Sequence, residues 1–502
     1  MPSKLDREDL TLNKRQVLSG IRCHKKLWLE FHEENAPELK HSPETLVRFA
    51  EGRITDEHAR LFIGAGVQLA PGRNIDPVSV TARTREAMQG GESVLFQPAF
   101  IAAGANIRAD VMTRAADQWT LIEVKSSKSP KDARDRKKKV EEHLADVAVQ
   151  AAVIRTAGVD LGKSELMLLN RDCVHPDLSN LFVREDVTTE ANAEATKVPA
   201  AVAALHGVVL GSAPNTPVGD QCKDPDECPF YVRCHDKLPP HHVSELYYAK
   251  KQAAKFEAAG KTLIAHLDES DAPNEPAKRQ VRAVKSMTRV VEPGLRAALG
   301  QLKSPIVYFD FETVQLAVPR WPGCRPQDMV AVQFSAHREG FADNDTRFHL
   351  ASRGGDPRPA LIDAMVDACA GGASIVVYYE PFEKKRIEEL AEWFPSREKE
   401  LMAIHARIVD LLPIVRDHVY DPEFHGSFSL KKVLPALVPT LTYKDLKYQE
   451  GGTASAEIYR LLFGLTLEPA EEAALRRDLL AYCERDTEAM VELVKVLREL
   501  AR

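Results

Sequence analysis

No run of apolar residues in this 502-residue chain approaches the twenty or so needed to span a bilayer, which excludes a helical membrane protein. None follows the opening Met1-Pro-Ser-Lys4 either, so no secretory leader is expected and the chain reads as cytoplasmic. Cysteine is sparse. Eight thiols in a cytoplasmic chain of this size argue against a disulfide framework and leave metal, redox or core roles. An excess of positive charge is also missing: 67 Lys and Arg against 74 Asp and Glu give a net charge of -7. A nucleic-acid partner must therefore be met by local basic surface. No internal repeat is visible.

The length suits two to four domains, and 44% apolar residues can supply their cores. The first half is organised around Ile107-Arg-Ala-Asp-Val-Met-Thr-Arg114 and Trp119-Thr-Leu-Ile-Glu-Val-Lys-Ser-Ser127, two short β-branched stretches that read as a hairpin across Ala115–Gln118. The hairpin places Asp110 beside Glu123. Neighbouring carboxylates repel unless a cation lies between them, and hard oxygen ligands suit magnesium or manganese. Lys125 shares a face with Glu123 and can steady charge building on a phosphate. An isolated E-x-K is more simply a solvated ion pair; the preceding Asp110 is what points to a nuclease.

Around the hairpin the pattern alternates. Leu12 to His32 has a helical rhythm with Cys23 inside it, Glu51–His58 continues as a helix to Phe62, and Ser93–Phe100 reads as a strand. Lys128–Lys139 is strongly basic, either a solvated helix start or a phosphate patch. Val140–Ala157 is a helix with Gln150 near its apolar face, Glu165–Asn170 a strand and Ala191–Val209 a helix. This describes a mixed α/β domain ending near residue 236. Its end is marked by Cys222, Cys228 and Cys234, evenly spaced in a Pro- and Asp-rich loop. Thiolates so placed bind zinc or an iron-sulfur cluster, both of which normally take four ligands, and Cys23 is the candidate for the fourth. The wide gaps favour the larger cluster, with zinc and unliganded thiols as alternatives. Cys173, Cys324, Cys369 and Cys483 read as single core or surface residues.

Residues 237–304 offer no catalytic cluster and read as a helical connector, with helices over Val243–Leu267 and Pro293–Leu302 about a polar breaker at Glu269–Lys278. From Pro305 a second acidic pattern begins. Pro305-Ile-Val-Tyr-Phe-Asp-Phe-Glu-Thr313 is a buried strand with Asp310 and Glu312 on one side of it. Met329–His337 is the next strand. Ser374–Tyr379 is another, entering a helix through Glu380-Pro-Phe-Glu383. Asp410 follows a short apolar run, and His425–Lys431 is a loop entering a helix, suited to a phosphate contact. Tyr482 and Asp486, one turn apart on a closing helix, share a face.

The order Cys23, His58, Asp110, Glu123-Val-Lys125, Gln150, Cys222/Cys228/Cys234 resembles the RecB-like PD-(D/E)xK nucleases with an iron-sulfur cluster, such as the CRISPR-associated adaptation nuclease and the AddB nuclease domain. Residues 305–502 resemble the DnaQ-like (DEDD) exonucleases of the RNase H fold, more narrowly their YprB-like branch. Together they resemble a bacterial family that fuses the two. The resemblance implies a restriction-endonuclease-like domain over 1–236, a connector over 237–304 and an RNase H-like domain over 305–502. It implies a [4Fe-4S] cluster on the four cysteines and Mg2+ or Mn2+ on His58, Asp110 and Glu123, and again on Asp310, Glu312, Glu383 and Asp486. Lys125 and Tyr482 assist catalysis, with Gln150 and Asp410 in support. The implied activity is metal-assisted hydrolysis of nucleic acid, 3′ to 5′ in the second domain, with single-stranded DNA favoured as substrate. RNA and a helicase partner stay open, and no membrane is involved. Two departures stand out: Ile154 where the first family often has Tyr, and Tyr379-x3-Glu383 where the second commonly has Asn-x3-Asp. A nucleic-acid-binding scaffold, with the RecB-like half purely structural, is the competing class.

Overall fold

The computed structural model describes residues 10–72, 75–235, 237–341 and 345–502. It is mixed α/β and divides into two units, one of 1–236 with 316–328 and the other of 237–315 with 329–502. Residues 237–304, expected as a helical connector, group with the second unit. Val243–Leu267 is not one helix. The helix Lys250–Ala258 is flanked by single 3-10 turns at Val243–Glu245 and Ile264–His266. Left-handed backbone at Tyr248 (φ 53°) and Gly260 (φ 75°) interrupts the helical path.

In the first unit, α1 (Lys14–Arg22) and α2 (His24–His32) replace the single expected helix. Cys23 between them is extended (φ −163°, ψ 117°). They precede α3 (Pro43–Ile63). A mixed sheet runs in chain order through β1 (Val67–Gln68), β2 (Val94–Phe96), β3 (Val111–Ala115), β4 (Gln118–Lys128), β5 (Leu161–Leu169) and β6 (Phe182–Asp186). α4 (Ala133–Thr156), opened by its Asp132 cap, connects β4 to its parallel neighbour β5.

Two expected strands break. Pro98 has no N–H to donate to a ladder, and Gln97 beside it is left-handed at φ 54°. Ala99–Ala102 and Ala105–Arg108 therefore leave for a small separate sheet with Leu12–Asn13. The chain returns to the main sheet at Asp110, whose carbonyl accepts the Gln97 N–H. The expected helix Ala191–Val209 is likewise two, Thr188–Ala195 and Val198–Leu210, divided just before Pro199. Among the described residues no single helix is long and apolar enough to cross a membrane.

The second unit is built on β7 (Ile306–Gln315), β8 (Met329–Glu339), β9 (Thr346–Leu350), β10 (Ser374–Val377) and β11 (Ile408–Asp410), in the order β9-β8-β7-β10-β11. β7, β8 and β9 are antiparallel neighbours, whereas β10 lies parallel to β7 and β11 parallel to β10. Helices α5 (Glu380–Trp393), α6 (Leu430–Leu437), α7 (Gly451–Phe463) and α8 (Pro469–Leu500) are among those packed around it. The strand period of two decides what each face carries. Val307, Phe309 and Phe311 enter an apolar core with Leu361, Ile375 and Leu390, so Asp310 and Glu312 leave by the other face. α8 covers that face: Ser335 on β8 donates to the Cys483 carbonyl at 2.8 Å and Gln333 to the Leu479 carbonyl at 2.9 Å.

Candidate functional site

The first acidic centre is assembled on β4. Asp110 lies one residue before β3, opposite Glu123 by continuation of the Val111–Ile122 pairing. Its carboxylate accepts the Val124 N–H at 2.8 Å. Glu123, only 2% exposed, is surrounded by donors. Its Oε1 accepts from Lys125 Nζ at 2.7 Å and from Lys14 Nζ at 3.2 Å, and its Oε2 from the Gln150 amide at 2.7 Å. Both lysines also pair with Asp146 on α4, at 2.5 Å and 2.8 Å.

The charges follow from this geometry. Burial alone would raise Glu123, but Lys14 and then Lys125 outweigh it and hold the carboxyl well below its usual range. Burial and then the Glu123 charge push Asp110 well above. Burial also lifts Asp56, on α3, to about 6.

The resemblance implies His58 as the ligand supplied by this helix. His58 Nδ1 lies 2.9 Å from the Ile54 carbonyl of its own helix, whereas Asp56 and Arg60 line a small cavity with Gln97 and Asp110. At ~100° per residue, position 58 is turned some 200° from 56 and position 60 only about 40°. Sequence reasoning missed Asp56, Asp146 and Lys14. Asp146 had a signal, one turn before Gln150 on the same helix face; Lys14 had none.

Cys23, Cys222, Cys228 and Cys234 line one cavity with Lys26, Phe230 and Tyr231. The break between α1 and α2 is what releases the Cys23 thiol from a helical surface. Polar ties hold the two sides of the cavity together. Arg22 donates to the Gln221 carbonyl at 2.7 Å and to the Asp226 carbonyl, and Arg233 to Glu33 at 2.6 Å and Glu38 at 2.9 Å. Cys173, Cys324, Cys369 and Cys483 are buried elsewhere.

In the second unit Asp310, Glu312 and Asp486 bring one carboxylate oxygen each to within 4.8 Å of one another. Among the described residues, no three of the four cavity thiols come that close. Glu383, on the first turn of α5, stands outside this trio yet is 2% exposed, and its Oε2 has no hydrogen-bond partner. Tyr443 donates to Asp486 Oδ1 at 2.5 Å, and the Tyr482 ring is tilted beside that of Tyr443, 6.3 Å between centroids. Lys431 Nζ lies over both tyrosine rings, 5.5 Å and 5.3 Å from their centroids. Ser455 donates to Glu312 at 3.4 Å.

Here the acids are under-compensated. Burial and then Asp486 push Glu312 to about 8. Burial, Asp486 and Glu383 push Asp310 well above its usual range, and Asp486, relieved by Tyr443 and Lys431, still rises to about 6 through burial. Burial and the Asp486 charge likewise keep the Tyr482 proton firmly bound.

Asp410 does not reach the acids. It caps the helix after β11 and accepts the N–H groups of Tyr379 at 2.9 Å, Glu380 at 3.0 Å and Leu412 at 2.9 Å. Tyr379 is left-handed at φ 94°, costly for a residue with a side chain. Asp410 thus fixes the strained turn that aims α5 and its Glu383. Tyr443 and Lys431 are the residues here that no motif had marked as part of the acidic centre.

Comparison with known proteins adds a partial family match but no activity. Residues 307–429 match a domain of unknown function, DUF2779. An uncharacterized protein of Mycoplasma pneumoniae is 27% identical over 219 residues, covering 40% of this chain and 33% of that protein. One of Ureaplasma parvum is 27% identical over 222 residues, covering 40% and 32%. A third, of Mycoplasma genitalium, is 24% identical over 222 residues. The chain thus spans about a third of the length of the curated relatives it matches.

Proposed function

We propose that this chain is a metal-dependent nuclease whose second unit is a DnaQ-like exonuclease acting on single strands. The observation that carries the reading is the convergence of Asp310, Glu312 and Asp486 within 4.8 Å on a buried face, with the Tyr443 hydroxyl on Asp486 and Tyr482 one turn before it on the same helix. The strand order β9-β8-β7-β10-β11, with β7 central and β8 antiparallel to it, agrees with the RNase H-like architecture of the resemblance. The residues fit divalent cations: buried oxygens crowd with little compensating charge, and Glu383 Oε2 lacks a partner. Asp310, Glu312, Glu383 and Asp486 would hold them. Bound Mg2+ or Mn2+ supplies a charge that stabilises both the attacking and leaving oxygens of a phosphodiester.

The chain's own groups do the rest. Tyr482 keeps its proton and orients water by hydrogen bonding, rather than serving as a ready base. Tyr443 fixes Asp486, and Lys431, whose charge acts on Asp310, Glu312 and Asp486, is suited to a phosphate. Full-length protein incubated with Mn2+ and end-labelled single-stranded DNA or RNA should shorten one of them from the 3′ end, and Asp310→Asn should not. Equal cleavage by Asp310→Asn would refute the assignment.

For the first unit we propose a RecB-like nuclease fold whose cysteines hold a [4Fe-4S] cluster. Four thiols line one cavity, and their wide, even spacing in sequence suits the larger cluster. When bound, the cluster cross-links the α1–α2 junction to the end of the domain. A second reading has an observation of its own. Lys14 and Lys125 already neutralise Glu123 and Asp146, as a structural or binding module would require. Retention of cleavage by Asp310→Asn, lost on adding Lys125→Ala, would favour catalysis in this unit over the scaffold.

A further inference from the structure

A third cluster of metal-ligating side chains lies in the second unit, apart from the carboxylates assigned above. His241, Glu245 and His425 bring one ligand atom each to within 4.8 Å of one another. Glu245 Oε2 is 3.1 Å from His425 Nδ1, and the two imidazoles stack at 5.1 Å between centroids, 10° from parallel. Glu423 stands nearby, 3.9 Å from His425 Nε2.

A hydrogen bond between Glu245 and His425 explains that pair but not the third member. His241 Nδ1 is buried without a hydrogen-bond partner, although an imidazole nitrogen so placed is normally satisfied. The backbone points the same way. His241 (φ 60°) and His425 (φ 48°, ψ 43°) both take the left-handed conformation, which side chains rarely adopt and which persists where the surroundings demand it. Gly426 is left-handed as well, and any Cβ there would collide with the Glu245 carbonyl. Two strained histidines and an obligatory glycine thus press the 421–427 turn against the segment holding Glu245.

We propose that His241, Glu245 and His425 form a zinc site. Two imidazoles and a carboxylate are a donor set for zinc and its transition-metal neighbours, whereas magnesium prefers oxygen alone. Glu245 and His425 are about a third exposed, which leaves room for water or Glu423 as a further ligand. The ion joins residue 241 to residue 425 across 184 positions and fixes the turn that leads to α6. Its role is structural, and it stands whether or not the chain is a nuclease.

The test uses the full-length protein, stripped by chelator and re-equilibrated with zinc in excess magnesium. Asn is the replacement of choice at both histidines because it tolerates left-handed backbone. Wild type should retain one zinc more than His241→Asn, His425→Asn or Glu245→Gln, and the variants should bind that ion at least ~10-fold more weakly. Thiol-bound zinc is separated by X-ray absorption at the zinc edge, where the extra ion must show nitrogen and oxygen neighbours without sulfur. That measurement needs no variant, so a substitution that fails to fold leaves the test intact. Equal zinc content in wild type and variants, a spectrum of sulfur neighbours only, or displacement by magnesium would overturn the proposal.

Discussion

Glu123 and Glu312 are both buried strand carboxylates, at 2% and 8% exposure, yet they carry their charge in opposite ways. Glu123 has two ammonium groups and an amide on its oxygens and is held low. Glu312 has one weak hydroxyl contact at 3.4 Å and is pushed up by burial and Asp486. Secondary structure does not distinguish them. What differs is whether the protein supplies its own cations. The first centre is balanced from within, so a metal must compete with Lys14 and Lys125 for the same oxygens. The second is not, and a divalent cation relieves it.

That contrast can be broken most directly through activity. Asp310→Asn should lower 3′-end shortening by ~10³-fold or more, the upper range for losing a preorganised charge-stabilising group. Lys125→Ala should leave that reaction within about twofold, since sites with no shared partners behave almost additively. Rates on 3′- and 5′-labelled strands check both. Should Lys125→Ala silence the 3′ reaction as well, the two centres are not independent.

Stability should show opposite signs. Glu123→Gln leaves Lys14 and Lys125 buried with less compensation, and breaking a buried pair costs about 3–5 kcal/mol. Asp310→Asn removes one of four crowded acids, so chelator-treated protein should lose nothing and gain up to ~1 kcal/mol. Thermal melts in chelator read both. A destabilised Asp310→Asn would mean that the second centre has compensation the geometry does not reveal.

The same contrast explains what was legible in the sequence. D-x-E on a strand and E-x-K on another place their side chains by a period of two, and Tyr482-x3-Asp486 by a period of 3.6; each needs only its own element. Lys14, Tyr443 and Asp56 meet their partners through packing of distant elements, which leaves no local trace. On α3 it is Asp56, marked by no motif, that lines a cavity with Asp110. Cys23 read as helical because its flanks are amphipathic, although the break at that residue is what exposes its thiol. In the 237–304 region, apolar spacing suggested long helices, but the left-handed residues His241, Tyr248 and Gly260 impose turns.

Within the second centre the tyrosines sharpen the comparison further. Tyr482→Phe should lower turnover by ~10²-fold, at the lower range for losing a preorganised hydrogen-bond donor. Tyr443→Phe should cost only about tenfold, because it orients Asp486 from outside, as outer partners of metal ligands do. Single-turnover rates at saturating Mn2+ separate the two. Equal losses would mean that the pair acts as one unit on Asp486.

A modest effect is expected at Lys14, and it bears on whether the first centre is a metal site at all. Its ammonium lies 3.2 Å from Glu123 and 2.8 Å from Asp146, and burial opposes the charge that those carboxylates stabilise. Lys14→Met keeps the aliphatic stem and removes the cation. Glu123 retains Lys125 and Gln150, so the fold should lose only about 1–3 kcal/mol, the range for a charged hydrogen bond. If the lysine competes with a divalent ion, Mn2+ should then bind the first unit several-fold more tightly, read by titration in an Asp310→Asn background that mutes the second centre. If Glu123 and Asp146 are instead a structural ion-pair cluster, Lys14→Met should cost stability and leave Mn2+ affinity unchanged, which is the outcome the scaffold reading requires.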